Sequence, residues 1–146
     1  MRGRTKSLVF VSVQLLALAY LLLTGPLVSP HPLWVWLEIG GLFLGAWAVV
    51  TLKLPYLRVF PEVASNGRLV TSGPYRFIRH PMYGAVLLVT LALVLSCPTT
   101  LRFAVWAALL IDLQAKLQHE ETLLAQRFKE YTAYQQRTKR LIPFVY

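Results

Sequence analysis

Four long apolar runs constrain the fold of this chain more than any other feature. The first two cover residues 8–23 and 33–54, and the other two cover 83–96 and 101–117. At 1.5 Å per residue, a helix over the second run is long enough to cross the ~30 Å hydrocarbon core of a bilayer. We therefore expect an all-α, multi-pass transmembrane helical bundle with about four spans.

The composition supports a membrane protein, because 56% of the residues are hydrophobic and only 14% are charged. A net charge of +9 would suggest nucleic-acid binding in a soluble protein, but the apolar content argues against it here. The lone Cys97 excludes an intramolecular disulfide, and no Cys/His spacing fits zinc. We expect one domain over residues 1–146 that interacts with membrane lipids, binds no nucleic acid and has no metal site.

The basic residues predict the orientation of the chain in the membrane. If the chain crosses the membrane four times, fourteen of its fifteen basic residues lie on one side of the membrane, and Arg102 lies on the other. Cytoplasmic loops carry the excess of Lys and Arg, so both termini and the loop after the second run are predicted to be cytoplasmic. The membrane would be a bacterial inner membrane or the endoplasmic reticulum.

The third and fourth runs flank the sequence CPTT, which predicts a helical hairpin. Pro98 ends the first arm, and Thr99 or Thr100 can cap the second. The first arm is short for a full span even if it starts at Pro81, so it either tilts little, thins the bilayer or does not cross fully. After the fourth run, apolar residues recur at helical spacing and predict a cytosolic amphipathic C-terminal helix. They are Leu123, Leu124, Phe128, Tyr131 and Tyr134.

Three residues within the second run raise questions of packing. Gly41 and Gly45 have the small-xxx-small spacing that lets helices approach closely, either within one chain or between two copies of a homo-oligomer. Glu38 is an acid inside an apolar run, so it either reaches outward to the interface or meets a partner.

Two polar clusters flank the hairpin. The stretch TSGPYRFIRHPMYGA places Tyr75, His80 and Tyr83 among arginines, with no acid nearby. Asp112, Lys116 and Glu120 share one helix face, and His119 is adjacent. Head-group anchoring by the arginines, an aromatic belt and a self-satisfied salt-bridge ladder would account for each cluster separately. Because the hairpin returns both clusters to the same membrane face, a composite cytosolic pocket is the alternative.

The sequence LVTSGPYRFIRHPMYGA, followed after a hairpin by HEETLL and then FKEYTAYQQRTKRLIP, resembles the isoprenylcysteine carboxyl methyltransferase and phospholipid methyltransferase family of membrane enzymes. The resemblance covers about residues 54–146, whereas residues 1–53 match only as two generic membrane helices. It implies an S-adenosylmethionine pocket framed by the RHPxY segment and the later Glu-Glu pair.

The resemblance also implies roles for individual residues. The loop that contacts the cofactor through its backbone corresponds to Gly67, Arg68, Leu69 and Val70. Tyr75 follows this loop, and His80, Pro81, Met82 and Tyr83 form the central cofactor wall. Glu120, beside Glu121, is the acid that binds the cofactor. Lys116 stands where relatives carry an arginine implicated in acceptor binding, which leaves the acceptor open.

The chemistry of the cofactor agrees with these residues. Tyrosine faces suit the sulfonium and the adenine, and a carboxylate suits the ribose diol or the ammonium. A carboxylate acceptor needs no general base and could be held by Lys116, whereas an amine acceptor calls for a base such as His80 or His119. We therefore predict methyl transfer to a lipophilic acceptor, with Lys116 and His80 as catalytic residues.

Other functions compete with this one. A phospholipid N-methyltransferase is the first alternative, and a membrane oxidoreductase of the steroid-reductase type is the second, although no nicotinamide motif is seen. A non-catalytic protein that binds anionic lipid through its basic face is the third. Prenylated cysteine, phosphatidylethanolamine and a small lipophilic acid or thiol all remain open as acceptors.

Overall fold

The computed structural model describes residues 2–52, 69–143 and 146, with the backbone alone for residues 2–6. These ranges contain five α-helices: α1 (Arg2–Leu23), α2 (Pro32–Leu52), α3 (Pro81–Ser96), α4 (Thr100–Arg127) and α5 (Tyr131–Arg137). A 3-10 helix (Gly73–Arg76) precedes α3. The described part of the chain contains no strand beyond an isolated parallel bridge between Ile78 and Lys139. The predicted all-α class is confirmed.

The helices α3 and α4 form the predicted hairpin around Pro98. The hydroxyl of Thr99 accepts a hydrogen bond from the backbone N–H of Arg102 at 3.2 Å, which caps the start of α4. Helix α3 packs against α1, α2 and α4, and its residues are buried or half-buried along its length. A core between α1, α3 and α4 is formed by Ala17, Leu87, Leu109 and Leu113.

Gly41 brings α2 and α3 into close contact. A Cβ atom on Gly41 would lie 2.7 Å from Cγ2 of Val89 and 3.1 Å from the backbone oxygen of Ala85. On Gly45 it would lie 3.3 Å from Cβ of Ala85. The predicted close packing therefore takes place within one chain, between α2 and α3.

Glu38 in α2 meets a partner in the loop that joins α1 to α2. Its two carboxylate oxygens accept hydrogen bonds from the backbone N–H of Ser29 at 3.1 and 3.3 Å, and the residue is buried. A charged acceptor for a loop amide satisfies a donor that would otherwise be costly to bury. Glu38 thus fixes the connection between α1 and α2, at the end of the bundle remote from α5.

At the same end of the bundle, Arg102 is buried in α4 and connects this helix to the ends of α1 and α3 by hydrogen bonds. Its guanidinium donates to the backbone oxygens of Leu21 and Leu93 at 3.3 and 2.7 Å and to Oγ1 of Thr24 at 2.6 Å. Leu21 and Leu93 stand in the last turns of α1 and α3, where helix carbonyls lack intrahelical partners and favour a cation. Arg102 is therefore a packing residue of the bundle.

The C-terminal part differs from the single amphipathic helix expected from residue spacing. Helix α4 continues past Leu117 to Arg127, so Leu123 and Leu124 belong to it, and α5 begins only at Tyr131. Phe128 ends α4 with extended backbone (φ −111°, ψ 114°). Tyr131 is 1% exposed. Burial of this ring against the rest of the protein explains the turn, which helical periodicity alone could not show.

Among the described helices, α2 is the one that is both long and apolar enough to cross a membrane. The apolar parts of α1 (Ser7–Leu23) and α3 (Pro81–Ser96) are shorter. Large apolar side chains also point outward from the bundle, such as Leu16 at 71%, Val50 at 76% and Ile111 at 70% exposure.

Candidate active site

The segment before α3 carries the first predicted cluster and is held in place by a tight turn. Gly73 has φ +59°, a left-handed conformation that favours glycine, and the side chain of Thr51 occupies the space where a Cβ atom would be. The 3-10 helix Gly73–Arg76 therefore starts against the end of α2. From there the chain runs past the second half of α4 into Pro81, a good first residue for a helix.

His80, Tyr83 and Glu120 come together at the start of α3. The rings of His80 and Tyr83 are parallel, with centroids 5.5 Å apart and 2° between their planes. The hydroxyl of Tyr83 donates to Oε1 of Glu120 at 2.5 Å, and Oε2 of Glu120 lies 3.7 Å from Nδ1 of His80. The two predicted clusters therefore meet in a composite site.

Lys116 extends this cluster toward α1. Its ammonium lies 5.2 Å from the centroid of the Tyr83 ring and donates to Oε1 of Gln14 at 3.0 Å. Lys116 is 3% exposed, so its ammonium is held by these two neighbours and by electrostatic attraction to the carboxylates of Glu120 and Asp112 rather than by bulk water. Gln14 was not predicted as a site residue, because from the sequence it was only a polar break in an apolar run.

Glu121 lies beside Glu120 but engages arginines. Its Oε1 is 2.6 Å from Nε of Arg79, and its Oε2 is 3.2 Å from Nε of Arg140. Nε2 of His80 lies 3.4 Å from Oε1 of Glu121 without the geometry of a hydrogen bond, and this buried nitrogen has no other partner in the described ranges. The acids that the arginine-rich segment lacks in sequence are thus supplied by α4.

The C-terminal segment pairs with the backbone around His80. The N–H groups of Arg79 and His80 donate to the oxygens of Lys139 and Arg140 at 2.7 and 3.0 Å, and the N–H of Lys139 donates to Phe77 at 3.2 Å. The Arg79 guanidinium also donates to the backbone oxygens of Gln135 and Thr138. The hydroxyl of Tyr134 donates to the oxygen of Tyr75 at 2.6 Å. These bonds fix the segment that presents His80.

The buried charges alter proton affinities around this segment. Burial would raise the pKa of Glu121, but His80 and Arg79 outweigh it and lower the pKa to about 2. Burial, together with the charge of Glu120, raises the pKa of Tyr75 to about 12. Burial also raises the pKa of Tyr131 and of Tyr134. At neutral pH Glu121 is therefore ionised, and the nearby phenols of Tyr75, Tyr131 and Tyr134 are protonated.

The remaining predicted residues occupy varied positions. Gly67 and Arg68 lie outside the described residues, and Leu69 and Val70 are half-buried just after the gap. Pro81 is buried at the start of α3, Met82 beside it is half-buried, and so is His119 on α4. Sequence reasoning missed Gln14, Arg140 and Thr138, whose contacts depend on how α1 and the C-terminus pack.

The arrangement offers an aromatic face, an accessible carboxylate and a buried ammonium in one cluster. The side chain of Glu120 is 21% exposed, against 6% for Glu121, and Oε2 of Glu120 has no close hydrogen bond from the described side chains. Such a cluster suits a ligand that carries a positive charge and hydroxyl or ammonium donors. No three His, Cys, Asp or Glu residues in the described ranges are grouped so that they could hold a metal ion.

Comparison with known proteins gives a relative and a family match. The cobalt-zinc-cadmium resistance protein CzcN of Cupriavidus metallidurans is 32% identical over 118 residues, which cover 77% of this chain and 55% of that protein. The chain therefore spans about half the length of this relative.

The family match covers residues 34–126, described as isoprenylcysteine carboxyl methyltransferase (ICMT). It starts at α2, earlier than the resemblance at about residue 54 suggested, and it contains His80, Tyr83 and both glutamates while leaving out α1 and α5. The chain belongs to the isoprenylcysteine carboxyl methyltransferase family of membrane methyltransferases.

Proposed function

We propose that this protein is an integral membrane, S-adenosylmethionine-dependent methyltransferase that transfers a methyl group to a lipophilic acceptor. The observation that carries the proposal is the meeting of His80 and Tyr83 with Glu120 across the hairpin, within the region matched to the family. Residues 37 apart in sequence are joined there by a 2.5 Å hydrogen bond. A protein that only binds lipid head groups would not require these polar side chains to be held together across the hairpin.

The residues present fit S-adenosylmethionine. The stacked rings of His80 and Tyr83 offer π-faces for a sulfonium or an adenine, and Oε2 of Glu120 can accept from a ribose diol or an ammonium. The buried Nε2 of His80 is a polar atom that still lacks a hydrogen bond from any described group. Glu121 is already engaged by Arg79 and Arg140, so we assign cofactor binding to Glu120 and bracing of the segment to Glu121.

S-adenosylmethionine supplies a methyl group on a sulfonium that is already activated for displacement. The protein therefore needs to align the partners and keep water out more than to polarise them. His80 and Tyr83 provide a flat wall for alignment. The N–H groups of Arg79 and His80 fix the start of this wall by donating to the backbone oxygens of Lys139 and Arg140. Lys116, buried beside Tyr83, places a charge on the acceptor side of this wall.

A multi-pass topology accommodates a lipophilic acceptor. Residues on the outward faces of α1, α2 and α4 are apolar and exposed, which is typical of a surface covered by lipid. Helix α3 has 16 residues, about 24 Å at 1.5 Å per residue, and is short for a span, but the other three helices surround it. We place both termini and the site at the cytosolic face, where exposed basic residues Arg76, Lys129 and Arg137 face lipid head groups.

Binding of labelled S-adenosylmethionine to the purified protein tests the proposal. We expect saturable binding by the wild type and binding weaker by about 10- to 100-fold in Glu120→Gln. The control Glu130→Gln, which removes an exposed carboxylate, should bind as the wild type does. Absence of binding by the folded wild type would refute the function. Binding of NADPH in its place would identify an oxidoreductase of the steroid-reductase type.

A further inference from the structure

The segment before α3 and the C-terminal segment together expose three cations that the protein does not neutralise. Arg76, Arg137 and Lys139 are exposed, and none of them forms an ion pair within the described part of the chain. The other two arginines of these segments differ, because both are engaged by Glu121. We call the surface formed by Arg76, Arg137 and Lys139 the basic junction.

Backbone pairing and packing bring the three cations together. The N–H of Lys139 donates to the oxygen of Phe77 at 3.2 Å, so Lys139 lies opposite the residue that follows Arg76. The hydroxyl of Tyr134 donates to the backbone oxygen of the residue before Arg76 at 2.6 Å, and Arg137 lies about one turn after Tyr134 in α5. Like charges gathered at one surface repel each other, and a bound anion offsets this repulsion.

The basic junction lies at the level where phospholipid head groups are expected. The apolar helix α3 begins at Pro81, shortly after Phe77. Phe77 is 46% exposed, and Ile142, shortly after Lys139, is 54% exposed. Aromatic side chains are enriched at membrane interfaces, and basic side chains near them contact lipid phosphates. Exposed apolar side chains beside the cations therefore favour a phosphate carried by a lipid over a soluble phosphate.

We propose that the basic junction binds the phosphate of an anionic phospholipid and that this binding tightens the pairing that holds His80. The phosphate lies between Arg76 of one segment and Arg137 and Lys139 of the other. The N–H of His80 donates to the oxygen of Arg140, the residue after Lys139, so a ligand that joins the two segments also fixes the start of the cofactor wall. The lipid site itself is independent of the proposed function, whereas its effect on cofactor affinity rests on it.

The net charge of the basic junction selects an anionic lipid over a zwitterionic one. Phosphatidylcholine carries an ammonium beside its phosphate and so brings no net negative charge to the three cations. The exposed carboxylate of Glu130 precedes α5, at the opposite end of that helix from Arg137. Attraction between exposed charges and an anionic head group is screened by salt, so lipid binding here should depend on ionic strength.

Hydrogen exchange of residues 77–80 in nanodiscs tests the inference, with the whole chain and no cofactor. Discs of phosphatidylcholine alone are compared with discs that also contain phosphatidylglycerol. We expect exchange in the wild type to be about 3- to 10-fold slower with phosphatidylglycerol. The difference should vanish at about 1 M salt, where the Debye length is about 3 Å.

Single substitutions locate the effect. Arg76→Gln and Lys139→Gln should each lose most of the slowing that phosphatidylglycerol causes. Lys129→Gln is the matched control, because it removes an exposed lysine that precedes α5 and lies outside the basic junction, and it should keep the slowing. If Arg76→Gln or Lys139→Gln shows no melting transition, Arg137→Gln takes its place, and slowing equal to the wild type in that variant refutes the inference.

Three further results would overturn the inference. The first is equal exchange of the wild type in the two kinds of disc, and the second is an equal loss of slowing in Lys129→Gln and Lys139→Gln. The third is the same slowing in phosphatidylcholine discs after addition of soluble glycerol phosphate, which would identify the ligand as a free phosphate.

Labelled S-adenosylmethionine, titrated into the same discs, separates the lipid site from the proposed function. Tighter binding of the cofactor with phosphatidylglycerol supports the link to the cofactor wall, and equal affinity in both kinds of disc refutes that link. If the wild type binds no cofactor in either disc while the slowing of exchange persists, the proposed function fails and the lipid site stands.

Discussion

Arg79 and Glu121 form a 2.6 Å ion pair although 42 residues separate them, and both side chains are less than a tenth exposed. The pair joins the segment before α3 to the second half of α4. The Arg79 guanidinium continues to backbone oxygens of α5 and Thr138, and Arg140 binds the other oxygen of Glu121. Three parts of the chain therefore depend on one carboxylate.

Glu121→Gln should destabilise the protein strongly. Removing the charge leaves Arg79 buried beside a neutral amide, and breaking a buried ion pair costs about 3–5 kcal/mol. The free energy of unfolding can be measured by denaturant titration in detergent, followed by tryptophan fluorescence. Glu130→Gln at the exposed start of α5 should stay within about 0.5 kcal/mol of wild type. Equal stability of both variants would show that the pair is solvated and contributes little.

Stability should also decline in acid because of the same group. The pKa of Glu121 is lowered from 4.5 to about 2 in the folded protein, so its carboxylate stabilises the fold fully above 4.5. As the pH falls from 4.5 toward 2, protonation removes this contribution, since the unfolded chain binds the proton more tightly. Melting temperatures measured across this range should fall for the wild type. In Glu121→Gln the fall should be smaller, and an identical slope would contradict the assignment.

Glu120→Gln should act on ligand affinity, in contrast to its neighbour. Its Oε2 is the oxygen left for a cofactor, and hydrogen bonds to charged groups contribute about 1.5–3 kcal/mol, so binding of S-adenosylmethionine should weaken about 10- to 100-fold. Tyr83→Phe removes only the hydroxyl that orients Glu120 and should weaken binding less. Titration with labelled cofactor measures both. A larger loss in Glu121→Gln than in Glu120→Gln, at matched folded fraction, would reverse the assigned roles.

The C-terminal segment should protect the backbone of the site from hydrogen exchange. The amides of Arg79 and His80 donate to Lys139 and Arg140, so a chain ending at Arg137 loses both acceptors. Exchange of peptides that contain residues 77–80, followed by mass spectrometry, should become much faster in this truncation. Deletion of Tyr146 alone keeps the bridge and should leave exchange near the wild-type rate. Unchanged protection in the long truncation would mean that other groups hold the segment.

Local sequence patterns predicted the hairpin and the proximity of its two polar clusters. Both depend on a proline and a capping residue at a short turn, which brings the second helix back alongside the first. Spacing on one helix face placed Lys116 and Glu120 together, and the hairpin placed them near His80 and Tyr83. Contacts between residues that are far apart in sequence could not be predicted, because they depend on how the helices pack. Gln14 reaches Lys116 over 102 residues, and the bridge between Ile78 and Lys139 needs α5 to turn back.

The sequence identified unusual charged residues but did not reveal the contacts that explain them. The sequence predicts Arg102 on the side of the membrane opposite the other basic residues, but its packing role is seen only from its hydrogen bonds to the helix-end carbonyl oxygens of Leu21 and Leu93 and to the Thr24 hydroxyl. Glu38 likewise needed the loop at Ser29, whose course depends on two helices. Side chains that satisfy backbone groups leave little trace in sequence, because backbone donors and acceptors are the same for nearly every residue.

Two adjacent glycines in α2 provide a matched test of helix packing. A Cβ atom on Gly41 would lie 2.7 Å from Val89 and 3.1 Å from backbone atoms of α3, which cannot move without shifting the helix. A Cβ atom on Gly40 would have no atom of another part of the described structure within 4 Å. Gly41→Ala should therefore cost about 1–3 kcal/mol, as overpacking does, while Gly40→Ala should be neutral or stabilise by up to about 1 kcal/mol through helix propensity. Denaturant titration of both variants in the same detergent measures the difference. Equal stability would mean that α2 and α3 separate easily, and the cofactor wall at the start of α3 would then rest on α4 and the C-terminal segment alone.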